Sequence, residues 1–167
     1  ADAFNRSTDA AATPDGADPV LRIDTGLAIA APVADVWKVL TDLDRYADWN
    51  PYIVDAQGTG AAGSKVTVTT RPTDADHETT YDVDVVAAGE PHRLEWEGGS
   101  PDRERFLTRH VWTLTETPNG TDLHHYETFH GTDAQATFNT IKVCLRRDFE
   151  RFNTGLKAAC ENGNHLA

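Results

Sequence analysis

Hydrophobic and polar positions divide the chain into runs of two different periods. In VLRIDTGLAIAA, residues 20–31, Leu21, Ile23, Leu27 and Ile29 fall on odd positions, the period of a half-buried strand. The following stretch changes to helical spacing: Val33, Val36, Trp37 and Leu40 form one stripe. Pro32 stands where a first-turn proline is tolerated, and Asp35 suits the partial positive charge of a helix start. Asp42 and Asp44 mark a break before a second short helix around Tyr46, closed by Asn50-Pro51.

Strand-like runs follow at 52–58, 65–71, 79–87 and 93–98, each bounded by Gly, Pro or Asp clusters. Two more, 106–116 and 121–130, flank Pro118-Asn119-Gly120, and Asn-Gly between alternating runs predicts a tight hairpin. The last segment is helical, over 138–160. Phe138, Ile141, Leu145, Phe149, Phe152 and Leu156 are spaced 3, 4, 4, 3 and 4 apart and make one stripe, which would run ~35 Å at the rise of an α-helix. Asn162-Gly163 is its stop. Segregated strands and helices predict an α+β domain over 20–163, a curved seven-stranded antiparallel sheet around the long C-terminal helix. A curved sheet cannot press flat on a straight helix, so a cavity between them is expected.

Residues 1–19 are Ala, Asp, Thr and Pro with one aromatic, too polar to offset the entropy of ordering, and are read as a disordered acidic tail. Cys144 and Cys160 fall in one predicted helix about 24 Å apart, so they cannot bridge each other there. The chain of 167 residues carries a net charge of −12, with 27 acidic and 15 basic residues. An acidic surface repels phosphate backbones, which argues against nucleic acid as a partner. The charge fits a well-solvated surface, or an Asp-rich, Lys-poor surface adapted to high salt. No apolar run reaches the ~20 residues of a membrane span, and the first residues lack the order of a secretory signal. The expectation is a cytoplasmic monomer or homodimer with no membrane insertion.

The stretch DLHHYETFHG, 122–131, concentrates three histidines and a glutamate. In a strand, side chains alternate faces. Leu123 and Phe129 mark the odd face as inward, which sends His125 and Glu127 in and leaves His124, Tyr126 and His130 out. With Asn119-Gly120 as a two-residue turn, Leu114 would lie opposite His125, Trp112 opposite Glu127, and His110 opposite Phe129. His110, Trp112, His125 and Glu127 then share one face. Three readings compete: a metal site of two histidines and a carboxylate, an acid–base site built on a desolvated Glu127, and pocket lining that satisfies itself or orients a ligand. Lining is the preferred reading, and no metal is assigned. Trp49 and Trp96 are candidates to stack on a ligand or to pack in the core. Tyr81, Val83 and Val85 form one strand face, with the Tyr81 phenol available to the cavity. Arg109 faces outward by parity, and His77 and His92 sit in turns.

Several strings carry a resemblance. VWKVLTDLDRYADWNPYIVDAQG after a first strand, RLEWEG at 93–98, the RHVWTLTETPNGTDL hairpin, ETFHG at 127–131 and FERFNTGLKAACE at 149–161 resemble, in order, the START-like or helix-grip superfamily (SRPBCC), in its polyketide cyclase/dehydrase branch. The resemblance implies a helix-grip fold and a hydrophobic cavity between sheet and C-terminal helix. Its members include lipid and sterol carriers, quinone-binding proteins, hormone receptors and aromatase/cyclases. It supplies no fixed catalytic signature and no cofactor. Expected pocket residues are therefore Trp49, Tyr81, Val83, Trp96, His110, Trp112, Leu123, His125, Glu127, Phe129, Ile141, Leu145 and Phe149. The expected function is binding of a small hydrophobic molecule, lipid-, quinone- or polyketide-like. The alternatives are a cyclase or dehydratase using the pocket His and Glu for proton transfer, and a regulatory module acting through the outer face of His124, Tyr126 and His130.

Overall fold

The computed structural model describes residues 20–162; the expected tail, 1–19, and Gly163 lie outside them. Strand β1 (Leu21–Ile29) leads into helix α1 (Val33–Thr41), a single 3-10 turn (Leu43–Arg45) and the one-turn helix α2 (Tyr46–Trp49). Six strands follow: β2 (Ile53–Gln57), β3 (Lys65–Thr70), β4 (Thr79–Gly89), β5 (Arg93–Gly99), β6 (Leu107–Thr117) and β7 (Gly120–His130). Helix α3 (Ala134–Asn162) closes the order. The sheet runs β1-β7-β6-β5-β4-β3-β2, every neighbour antiparallel. It curls into a half-barrel around α3. Register shifts between Ile53 and Asp55 in β2 and between Val85 and Ala87 in β4 add residues to one strand of a pair, which bends the strand and increases its twist. The expected seven-stranded α+β architecture is the observed one.

The β6–β7 register differs from the expected one by two residues. Thr117 pairs with Gly120, so the two-residue loop is Pro118-Asn119, and Trp112 lies opposite His125, His110 opposite Glu127 and Thr108 opposite Phe129. The physical reason is Pro118. The pair closing a two-residue hairpin exchanges two N–H···O bonds, and proline has no N–H to give. Because the slip is two residues, every side chain stays on its expected face. Gly120 adopts φ +142°, and a side chain there would collide with the backbone of Ile29 to Ala31 at the end of β1.

Helix α3 has 29 residues, about 44 Å, and starts four residues before the expected 138 because Asp133 accepts from Thr137 N at 3.1 Å. It packs on β1, β7, α1 and α2. Phe138, Phe149, Phe152 and Leu156 are buried as expected, but Ile141 and Leu145 of the same stripe are only half-buried. The cause is geometric. Helix α2 supports the second half of α3, where Phe152 meets Tyr46 and Trp49 edge-on and Gly155 leaves room for the Trp49 carbonyl. Between Phe138 and Phe149 the stripe is left half-covered.

Two polar side chains of α3 are fully buried, Asp148 and Asn153. Asp148 accepts from Thr73 N at 2.7 Å and Thr73 Oγ1 at 2.6 Å, tying the β3–β4 connection to the helix. Arg151 lies 3.4 Å from it as an ion pair and donates to the Pro51 carbonyl at 2.8 Å. Removing the acceptor leaves part-buried donors unpaired, so Asp148→Ala is expected to cost about 1–2 kcal/mol, read as a lower midpoint in urea unfolding with an unchanged slope.

Candidate functional site

The inward residues of β6 and β7 meet α3 in a stack of rings. His110 lies 4.0 Å from Trp112 and 4.8 Å from Phe149, centroid to centroid, and His125 lies 4.3 Å from Phe149. Trp96 joins edge-on, 4.7 Å from Trp112. The two imidazoles are nearly coplanar, at 8°, with centroids 4.8 Å apart and their Nε2 atoms 2.5 Å apart. That combination places them edge to edge, sharing one hydrogen bond.

Behind His125 the contacts continue. His125 Nδ1 meets Asn153 Oδ1 at 2.6 Å, Asn153 Nδ2 donates to Thr25 Oγ1 at 2.8 Å, and Thr25 Oγ1 donates to the His125 carbonyl at 2.8 Å. On the other side, His110 Nδ1 stands 3.4 Å from Glu127 Oε2, the two side chains being 13% and 12% exposed. Tyr52 and Tyr81 lie close enough for Glu127 to raise both their phenol pKa values, in addition to the larger effect of burial. Tyr81 itself is 43% exposed, so its ring forms part of the rim while its hydroxyl points inward.

Burial sets the protonation of these groups. With little water to solvate a carboxylate, the pKa of Glu127 is pushed up to about 8. Burial lowers His125 to about 3, and burial together with the neighbouring His125 holds His110 well below its ordinary value. At pH 7 the Glu127–His110 pair is therefore a neutral acid beside a neutral imidazole, not an ion pair. Such a pair offers one hydrogen-bond donor and one acceptor in an apolar wall.

The rim lies at one end of the sheet. The start of β4 carries Tyr81 and Val83, the start of β6 carries His110, the end of β7 carries Glu127 and Phe129, and Ile141 and Leu145 of α3 belong to the same half of the molecule. Gly98, inward on β5, has Thr108 Oγ1 and Val83 Cγ1 within 3.1 and 3.4 Å of where its Cβ would stand. Beside His110 stands its cross-strand partner Trp96, and beyond them Trp112 and Leu123 close the wall, all three below 4% exposure. Of the expected pocket residues, then, His110, His125, Glu127, Trp112 and Phe149 are brought into contact, with Trp96 against Trp112. Phe129 packs on Phe138 at 5.4 Å, and Leu123 is core. Trp49 stands apart, under the second half of α3, where with Pro51, Thr73, Arg147, Arg151 and Thr154 it lines an open groove of about 650 Å³.

Residues absent from the expected set are Asn153, Thr25 and Tyr52. Asn153 and Tyr52 adjoin strongly apolar neighbours in sequence; no spacing signal ties them to the histidines. The adjacent His124 is on the outer face, as parity predicts, 2.7 Å from Asp24. Arg109 is outward too, bridging Glu95 and Glu97 at 3.0 Å each. Among the described residues no group of three or more His, Cys, Asp or Glu is arranged to hold a metal ion, and no helix is long and apolar enough to cross a membrane. Cys144 and Cys160 are free.

Solved structures with this fold include the di-domain ARO/CYC protein BexL of the BE-7585A biosynthetic pathway, at 17% identity and a TM-score of 0.69 over 85% of this chain and 50% of that one. The di-domain ARO/CYC protein StfQ of the steffimycin pathway matches at 15% and 0.67, over 86% and 51%. This chain thus spans about half of each di-domain protein. A protein from Nitrosomonas europaea matches at 17% and 0.68, over 87% of this chain and 97% of that one. Among curated proteins nothing matches. The family model for polyketide cyclase/dehydrase and lipid transport covers residues 20–161, and the curled sheet around a long C-terminal helix accords with that match: the chain belongs to the polyketide cyclase/dehydrase and lipid transport family.

Proposed function

We propose that the protein binds a small, mostly apolar, uncharged molecule between the Tyr81 end of the sheet and the first half of α3, its polar end on Glu127 and His110. The observation that carries this reading is the partial exposure of that pair beside an apolar helix stripe, Ile141 and Leu145, which the protein itself leaves half-covered. A core without a ligand role would bury such a stripe and leave no acid at its edge. The neutral state of Glu127 and both histidines favours an uncharged ligand over an anion.

The test is titration with a neutral fluorescent probe, N-phenyl-1-naphthylamine. Val83 is buried, and Val83→Trp fills the space beside Gly98; it is expected to lower Tm by a few degrees and, in protein that remains folded by circular dichroism, to weaken probe binding at least 10-fold, while Glu127→Gln changes it less than about 3-fold. Unaltered binding by the tryptophan variant would overturn the reading.

A second reading, a cyclase or dehydratase, is favoured by one observation: a carboxyl with its pKa near 8 stands beside an imidazole acceptor, the pairing that general acid–base chemistry at neutral pH requires. Under that reading Glu127→Gln binds substrate normally and loses about 10²-fold or more in turnover.

A further inference from the structure

The hydrogen bonds behind His125 have only one consistent direction. Thr25 Oγ1 uses its proton on the His125 carbonyl, so toward Asn153 it can only accept, which makes the Asn153 atom facing it the amide nitrogen. The amide oxygen of Asn153 then faces His125 Nδ1 at 2.6 Å, and an oxygen there requires Nδ1 to carry the hydrogen. A neutral His125 has no second hydrogen, so its Nε2 is a bare lone pair. His110 Nε2, 2.5 Å away, must supply the proton between them. A neutral His110 in turn has none left for Nδ1.

We propose that Asn153, anchored by Thr25, is a positioning residue that fixes the tautomers of both buried histidines, so that His110 presents its Nδ1 lone pair to the pocket beside Glu127. The pair then reads one hydroxyl: the imidazole nitrogen accepts the ligand's hydrogen and the Glu127 acid donates to the ligand's oxygen. Their 3.4 Å separation exceeds that of a formed hydrogen bond, which leaves both groups able to turn to a third partner. Tyr52 and Tyr81 lie near Glu127, and His124, on the outer face, lowers His125 further; none of them hydrogen-bonds the histidine chain in a way that would reverse it. The directions set the tautomers once the rings are neutral, and neutrality follows from burial: both rings are enclosed, which lowers their pKa values.

This inference rests on the reading of Glu127 and His110 as the pocket's polar end, but its test needs no ligand. Long-range proton–nitrogen NMR spectra of the full chain with 15N-histidine distinguish the two tautomers and the imidazolium by nitrogen shift. At pH 7 His125 is expected to carry hydrogen on Nδ1 and His110 on Nε2. Hydrogen on His110 Nδ1, or a charge on either ring, would overturn the proposal. Asn153→Asp replaces the amide by a carboxylate and is expected to make His125 an imidazolium near pH 6 and flip His110 to the Nδ1–H form. If that variant fails to fold, Thr25→Val, which frees the amide to turn, should give His110 shifts between those of the two tautomers. Parent-like His110 shifts in the folded variant would show that Asn153 does not set them. A failed probe titration with these spectra as expected would refute the pocket and leave the positioning role standing; the reverse outcome would do the opposite.

Discussion

Phe149→Ala is expected to destabilise the protein by about 3–5 kcal/mol, the cost of truncating a fully buried aromatic ring. For a domain of this length that corresponds to a fall in Tm on the order of 10 °C or more. The size follows from what the ring touches. Phe149 has no exposed surface, stacks on His110 and His125, and meets Tyr52 at 6.3 Å, so its removal leaves a void walled by rings from β6, β7 and the α2–β2 turn. Those rings are themselves pinned, His125 by Asn153 and His110 by His125, and cannot collapse into the space. Ile141→Ala is the matched control. It lies on the same stripe but is half-buried, and should cost about 1–2 kcal/mol, since less apolar surface leaves water there. Differential scanning calorimetry on the two variants measures both. Equal costs would mean that the first half of α3 is as tightly covered as the second, which would remove the structural basis for a pocket beneath it.

The contrast between Phe149 and Ile141 also shows what the sequence could and could not express. The spacing of Phe138 to Leu156 states that one face of the helix is apolar; it does not state how far the sheet follows that face. Sheet curvature arises from bulges at Val85–Ala87 and Ile53–Asp55, which no periodicity marks. Parity was sufficient to separate His125 and Glu127 from His124 and Tyr126, because alternation is a property of each strand alone. Register was not, because it depends on which residues can close the turn, and the missing amide of Pro118 outweighed the preference of Asn-Gly for a hairpin. The partners of His125 were beyond reach for a different reason. Asn153 and Thr25 are 128 residues apart in sequence and meet only once β1, β7 and α3 are assembled. A buried asparagine on an apolar helix face was the one available sign, and by itself it named no partner.

Stability should pass through a maximum near pH 6.5 and fall on either side, and the alkaline fall should belong to Glu127. The signs follow from proton counts in the two states. Glu127 has a folded pKa of about 8 against an ordinary 4.5, so its contribution is whole below 4.5 and is lost as pH rises to about 8. His110 and His125 are held below their ordinary 6.5, His125 at about 3, so theirs is whole above 6.5 and is lost as pH falls. Between 4.5 and 6.5 the unfolded chain takes up protons on His110 and His125, joined by His130, whose pKa partial burial and Arg109 also lower, while the folded chain keeps one on Glu127, and stability rises with pH. Above 6.5 the unfolded histidines lose their remaining protons over about one pH unit and Glu127 comes to dominate, so the decline steepens toward, without reaching, 1.4 kcal/mol per pH unit, and amounts to about 1 kcal/mol by pH 8. Other buried groups do not share this interval: Cys160, raised from 9.0 to about 12, and the tyrosines Tyr52 and Tyr81, raised above 10.0, act only at higher pH. Urea unfolding followed from pH 5 to 8.5 is therefore expected to show the decline in the parent and its absence in Glu127→Gln, whose amide is neutral throughout. The acid limb should survive in that variant and be reduced in His110→Phe, which keeps a ring in the stack and removes one of the titrating histidines. A parent whose stability stays level from pH 6.5 to 8.5 would mean that Glu127 is ionised in the folded protein, and the neutral donor assigned to the pocket would be gone with it.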